Sequence, residues 1–257
     1  MGESEIRNVW KHNLEEEINA LSNALKTYTY VSMDTEFPGV IAKPVGSFSC
    51  TSLYTYNQLR CNISLLGLIQ LGVSLSDEKG DRPTPSTWQF NFYFNRDQNM
   101  SAQESMHILE QAEIDFDKLK KDGIPIEVFA DFFTTSGLLM NADLTWISFH
   151  SSYDFGYLIS AISGKDLPNT PDEFFSLLVK IFPSFYDIKY LINALGIKGG
   201  LQDLAADLKI ERTGVQHQAG SDALLTLQVF HAFKKQIAPD VESNQKYRCR
   251  LFGIEAN

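Results

Sequence analysis

A chain of 257 residues with 44% hydrophobic content can close an α/β domain around its own core, and no apolar run approaches the ~18 residues of a membrane span. Its formal net charge of −10 excludes a broad basic footprint as the means of holding nucleic acid, so a phosphodiester would have to be met by positive charge supplied locally, for example by bound metal ions. Cys50, Cys61 and Cys249 show no CxxC spacing and read as reduced thiols, which argues against a structural zinc site.

The polar, acidic N-terminus "MGESEIRNVWKHNLEEE" fits an intracellular protein without a signal peptide. Met1-Gly2 resembles the start of a myristoylation motif, but Ile6 stands where Ser or Thr is required. Trp10, Leu14, Ile18, Leu21 and Leu25 recur at helical spacing and predict an amphipathic helix over 9–26, with Glu15, Glu16 and Glu17 on its solvated side. "VSMDTEFPGV" (31–40) reads as a strand ended by the turn Phe37-Pro38-Gly39. After a long connection over 38–60, "LLGLIQLGVSL" (65–75) and "TWQFNFYF" (87–94) form a predicted hairpin across "SDEKGDRPTPS". A helical stretch over about 101–140, broken near "DGIP", leads to "LTWISFH" (144–150), an apolar run suited to a strand buried on both faces. Helix and short strand then alternate. This order predicts a mixed sheet flanked by helices, in one domain covering 1–257, with no repeat or linker.

Asp34 and Glu36 interrupt the first of these strands. Residues i and i+2 of a strand share a face, so the two carboxylates point together at its carboxyl end, where α/β proteins place their sites. Such a pair is costly to bury unless a proton or cation takes up the charge. An exposed edge strand with both acids solvated explains the pair equally simply, and a divalent metal explains it chemically. Asp154 in "HSSYDFGYLI" and Asp222 in "HQAGSDALLTLQVFHAF" each fall near a predicted helix start, where the helix dipole already favours a carboxylate. His217 lies five residues before Asp222.

Taken in order, "MDTEFPGV", "STWQFNF", "SFHSSYDFGYL", "FYDIKYL", "KGGLQDLA" and "HQAGSDALLT" resemble the CAF-one/POP-two deadenylases, ribonuclease D-like members of the DEDD exonucleases, over about Ile6 to Phe233. The resemblance implies a ribonuclease H-like α/β fold, two divalent cations (Mg²⁺ or Mn²⁺), and release of AMP from the 3′ end of poly(A) on messenger RNA. It matches Asp34, Glu36, Asp154 and Asp222 to the family's acids and His217 to its histidine; Ser152 departs from an expected glycine. It also implies a NOT-type helical scaffold and a CCR-type leucine-rich-repeat deadenylase as partners, and a cytoplasmic location with the nucleus as a second compartment. Four oxygen donors suit Mg²⁺ or Mn²⁺ better than zinc, in keeping with a two-metal in-line displacement in which His217 is the base and Asp34 bridges the ions. A proofreading-type DNA exonuclease and a scaffold subunit without catalysis are the competing functions; the intact acids and histidine count against the second.

Several other residues have two readings. Phe37 is a base-stacking contact or a core aromatic, and His150 a substrate contact or a hydrogen-bonded structural histidine. Lys198 in "KGGL" (198–201) either meets phosphate, with the backbone amides beside it, or belongs to a tight turn. Asp187 reads as structural, and His12, His107 and His231 as helix-surface residues.

Overall fold

The computed structural model of the chain describes residues 4–254, so Met1-Gly2 lies outside it. In chain order the elements are β1 (Ile6–Val9), α1 (Leu14–Ala24), β2 (Tyr30–Glu36), α2 (Thr51–Leu65), β3 (Gln70–Ser76), β4 (Thr87–Asn91), α3 (Gln103–Gln111), α4 (Phe116–Asp122) and α5 (Ile126–Thr135). They continue with β5 (Thr145–Ser148), α6 (Ser152–Ser163), α7 (Pro171–Ile181), β6 (Phe185–Asp187), α8 (Ile188–Ala194), α9 (Leu201–Asp207) and α10 (Ala219–Gln236). The strands form one six-stranded sheet in the order β1-β4-β3-β2-β5-β6. Only the pairings of β3, with β2 and with β4, are antiparallel. This is the mixed sheet of a ribonuclease H-like fold.

Strand alternation separates two cores. Val31 and Met33 of β2 and Trp146 of β5 pack with Leu21, Leu59, Phe129, Phe155 and Phe174 from α1, α2, α5, α6 and α7. Tyr30 and Ile147 face the other way, onto Leu191, Leu204, Leu225 and Phe230 of α8, α9 and α10. β2 is central and covered on both faces, so its acids are not those of an exposed edge strand.

The structure corrects several expectations. β1 precedes the first helix and pairs in parallel with β4, a contact distant in sequence that a four-residue strand does not announce. Glu17 is buried, because Arg7 Nη1 at 2.9 Å and Trp88 Nε1 at 3.1 Å both donate to its carboxylate. The connection over 38–60 holds the first two-thirds of α2, which runs on to Leu65 and whose inner face is not wholly apolar: buried Asn62 accepts from Ile41 N and Ala42 N at 2.8 and 2.9 Å and donates to Ala42 O at 2.8 Å. The hairpin is present, but β3 starts at Gln70, since Leu65 still belongs to α2. His231 is partly buried rather than on the surface; one ring nitrogen lies 2.8 Å from Ser76 Oγ, and burial pulls its pKa down to about 4.

Candidate active site

β2 presents Ser32, Asp34 and Glu36 to α10, as the bond from Ser32 Oγ to Ala223 O at 2.7 Å shows directly. Thr35 lies between the two acids and faces α6. The parallel ladder of β2 with β5 stops at the Ser32–Ile147 pair, which leaves the Thr35 amide beyond its reach. Asp154, in the first turn of α6, takes its place: its Oδ1 accepts from Thr35 N at 2.8 Å and from Thr35 Oγ1 at 2.7 Å. Asp154 is thereby fixed against the strand segment that carries Asp34 and Glu36.

Asp222 approaches from the first turn of α10, with a different pair of partners. Its Oδ2 accepts from the backbone amide of His217 and its Oδ1 from Arg212 Nη1, both at 2.8 Å. Arg212 also donates to Gln202 Oε1 at 3.0 Å and to Ser221 Oγ at 3.1 Å. His217 has a left-handed backbone, φ 62°, and an exposed side chain. One ligand atom each of Glu36, His217 and Asp222 lie within 4.8 Å of one another, a grouping able to hold a metal ion. Asp34, Glu36, His217, Asp222 and Arg212 line one cleft of about 510 Å³ with Phe149 and the Gly200–Asp203 turn. A larger cavity of about 700 Å³ opens between α2, α5 and α6. The chemistry of the lining, not volume, picks out the site.

The acids strain against one another. Burial first, then the charges of Asp222, Asp154 and Glu36, hold the Asp34 carboxyl well above the usual carboxylate range, and Arg212 offsets this only in part. Burial followed by Asp222 and Asp154 does the same to Glu36. Burial pushes Asp154 up to about 6, against the lowering effect of its two bonds from Thr35. One arginine among four clustered carboxylates leaves an excess of negative charge, which is what a site built for added cations requires. Oxygen-rich donors of this kind fit Mg²⁺ or Mn²⁺.

The family profile described as CAF1 family ribonuclease matches residues 9–127 and 126–230. The chain belongs to the CAF1 ribonuclease family. It is 47% identical to the poly(A) ribonuclease pop2 of Schizosaccharomyces pombe over 98% of this chain and 75% of that protein. It superposes on the structure of S. pombe Pop2p in its Mg²⁺- and Mn²⁺-bound form with a TM-score of 0.95 and 44% identity, covering 98% of this chain and 100% of the other. It is similar also to the CAF1 chain of a yeast NOT1 MIF4G domain co-crystallised with CAF1, with a TM-score of 0.81, 32% identity and 96% of both chains covered.

Other predicted contacts of this CAF1 family chain stand outside the cleft lining. Phe37 stacks on Tyr153 (ring centroids 5.0 Å apart) and leans on Tyr157 (4.9 Å), at the edge of the larger core. Phe37→Ala is therefore expected to lower stability by about 3 kcal/mol, the low end for truncating a core aromatic, and to leave the ratio of rates on A and U tracts unchanged. Thermal melting and paired rate measurements on the two tracts check this; a changed ratio would return Phe37 to the substrate. The His150 ring packs edge-on to Phe252 at 5.1 Å, and its amide, at φ 61°, donates to Asp187 Oδ1 at 2.7 Å. Asp187 has the structural role expected of it: it accepts from Lys189 N and Phe252 N, both at 2.9 Å, and so ties α8 and the C-terminal segment to the end of β6. Lys198 is exposed, and "KGGL" reaches the cleft through Gly200 and Leu201 instead; Gly199 turns at φ 120°, and the Gly200 amide is taken by Asp203 Oδ2 at 2.8 Å. Ser152 opens α6 and bonds Phe252 O at 3.3 Å, so the departure from glycine is absorbed at the helix entry. The sequence reading overlooked Arg212 and Thr35. An arginine in the polar stretch "ERTG" carries no sign that it folds back onto an aspartate.

Proposed function

We propose that this chain is a 3′–5′ exoribonuclease that shortens poly(A) tails and releases 5′-AMP, with Asp34, Glu36, Asp154 and Asp222 holding two divalent cations and His217 serving as general base. The convergence of Asp34, Glu36 and Asp222 with His217 in a single cleft, with Asp154 of α6 held directly behind it on Thr35, carries the reading. Membership of a ribonuclease family and similarity to a poly(A) ribonuclease and to a Mg²⁺- and Mn²⁺-bound relative support it.

The protein's own groups divide the work. The carboxylates neutralise and orient the cations, which when bound supply a water of lowered pKa and charge stabilisation for the in-line displacement. Thr35 fixes Asp154, and Arg212 with the His217 amide fixes both oxygens of Asp222, so the donors are set before substrate arrives. Imidazole at His217 is exposed to the cleft and takes the proton of the attacking water. Few basic residues line the cleft, so adenosine preference comes from stacking and from the shape of single-stranded poly(A) more than from a hydrogen-bond code.

The proposed assembly is a CCR–NOT-type complex in the cytoplasm, and also in the nucleus. A NOT-type scaffold is supported by the related CAF1 chain crystallised with a NOT1 MIF4G domain, and a CCR-type leucine-rich-repeat deadenylase by the family resemblance. Among the described residues no helix is long and apolar enough to cross a membrane. The deciding experiment is a time course on RNA ending in 3′-oligo(A), with matched DNA and with excess EDTA. We expect stepwise loss of AMP from RNA, little from DNA, and none in EDTA; undiminished turnover in EDTA would remove the metal mechanism.

A further inference from the structure

The acid pair of β2 is continued across the sheet by amides. Asp34 pairs with Gly72 of β3, Gly72 with Gln89 of β4, and Gln89 with Asn8 of β1; two residues along, Glu36 pairs with Gln70 and Gln70 with Asn91. Paired residues share a face, so this polar row lies on the side of the sheet that α10 covers. Gln70, Gln89 and Asn91 are only 3%, 3% and 2% exposed, a burial that amides tolerate when every one of them is bonded.

The bonds run in one direction. Asn8 Oδ1 accepts from Gln89 Nε2 at 3.0 Å and from Asn91 Nδ2 at 3.2 Å. Gln89 Nε2 donates also to Gln218 Oε1 at 3.0 Å, and Gln70 Nε2 donates to Asn91 Oδ1 at 2.9 Å. With their amino groups committed in this way, the two glutamines turn their oxygens to the helix. Gln70 Oε1 accepts from Ala219 N at 3.2 Å and Gln89 Oε1 from Gly220 N at 2.8 Å. These are the orphan amides of the first turn of α10, which Gln218 at the N-cap does not bond with its own side chain. Gly72 permits the close approach, since a Cβ there would stand 1.9 Å from Ala219 O.

We propose that Asn8, Gln89 and Gln70 are positioning residues that cap α10 from the sheet, and that this cap sets where Asp222 and His217 stand relative to Asp34 and Glu36. The proposal rests on the reading of Asp222 as a metal ligand, and it gives the "STWQFNF" and "LIQLG" segments a chemical purpose. A helix capped by its own N-cap side chain is free to shift with that side chain. Here the first turn, which carries Asp222, is bonded to β3, the neighbour of β2, and to β4 beyond it, and the amide of His217 is bonded to Asp222.

The test compares the wild-type chain with Gln89→Met, Asn8→Leu and Asn8→Asp. Mn²⁺ affinity is measured by calorimetry, amide exchange at Ala219 and Gly220 without metal, and kcat and KM on 3′-oligo(A) RNA. Gln89→Met removes the acceptor at similar side-chain length and should lower Mn²⁺ affinity and kcat by about 10-fold each, the low end for losing an outer partner of a metal ligand. KM for RNA should hold, and the Gly220 amide should exchange faster. Asn8 is exposed on the edge strand, so its variants fold even if Gln89→Met does not. Asn8→Leu should move the same quantities in the same direction by a smaller factor, and Asn8→Asp, which keeps the accepting oxygen, should restore them. Equal metal affinity and kcat in the wild type, Gln89→Met and Asn8→Leu would overturn the positioning role, as would Asn8→Asp behaving like Asn8→Leu. A wild type that binds no Mn²⁺ would instead sink the metal reading of Asp222.

Discussion

Asp34→Asn is expected to abolish turnover and at the same time to raise the melting temperature of the protein in EDTA. The rate should fall by more than about 10³-fold, because losing even one electrostatic donor at a reacting centre costs about 10²- to 10³-fold. The gain in stability follows from the site's own electrostatics. Burial and the charges of Asp222, Asp154 and Glu36 raise the folded pKa of Asp34 above its unfolded value. Between those two values the folded state holds a proton that the unfolded state has released, so stability falls as pH rises through that window. The penalty is absent below about pH 4, the unfolded carboxylate range, and complete above the raised folded value. The Asp34→Asn gain should therefore be near zero at about pH 4 and grow as pH rises toward the raised folded value. One pKa unit is worth about 1.4 kcal/mol, and each kcal/mol moves the melting point of a chain this size by about 2–4 °C, so calorimetry resolves the effect. Mg²⁺ or Mn²⁺ should erase it by stabilising only the wild type. A variant that melts lower than wild type at neutral pH in EDTA, or that keeps its rate, contradicts the account.

What could be read from the sequence follows the range of the interactions involved. The shared face of Asp34 and Glu36 was legible because strand alternation is local, and the first-turn positions of Asp154 and Asp222 because apolar patterns announce their helices, but only the family resemblance joined the four into a set. The cost of crowding those acids could be stated from charge alone. Their supports could not. Thr35 meets Asp154 because the β2–β5 ladder ends three residues earlier, and Arg212 meets Asp222 because a loop folds back on α10; both depend on tertiary geometry. β1 was lost for the same reason, since four residues gain meaning only through pairing with β4. α2 was hidden by Asn62, a buried polar residue on the face where periodicity looks for an apolar one. Gln89 stood inside a segment already singled out for its resemblance, yet its purpose appears only when Gly72 is seen to admit α10 beside it.

His217 offers the sharpest separation of roles, since the structure sets its ring near carboxylate oxygens of Glu36 and Asp222 while its own amide braces Asp222. A base and a ligand would occupy much the same place and differ in what they leave behind when removed. The usual alanine variant confounds this, because the backbone is left-handed at φ 62°, a conformation that costs most L-residues about 1–2 kcal/mol and that asparagine adopts more readily. His217→Asn keeps the turn and the amide bond to Asp222 but has no basic nitrogen. Four carboxylates remain to hold hard cations that prefer oxygen, so Mn²⁺ affinity should stay near that of the wild type. The single-turnover rate on 3′-oligo(A) RNA at saturating metal should fall by about 10²- to 10⁴-fold, the range for losing a general base. Rate and affinity thus separate for a base and fall together for a ligand. An unchanged rate in His217→Asn would remove the base assignment, and a parallel loss of Mn²⁺ affinity would make His217 a metal ligand instead.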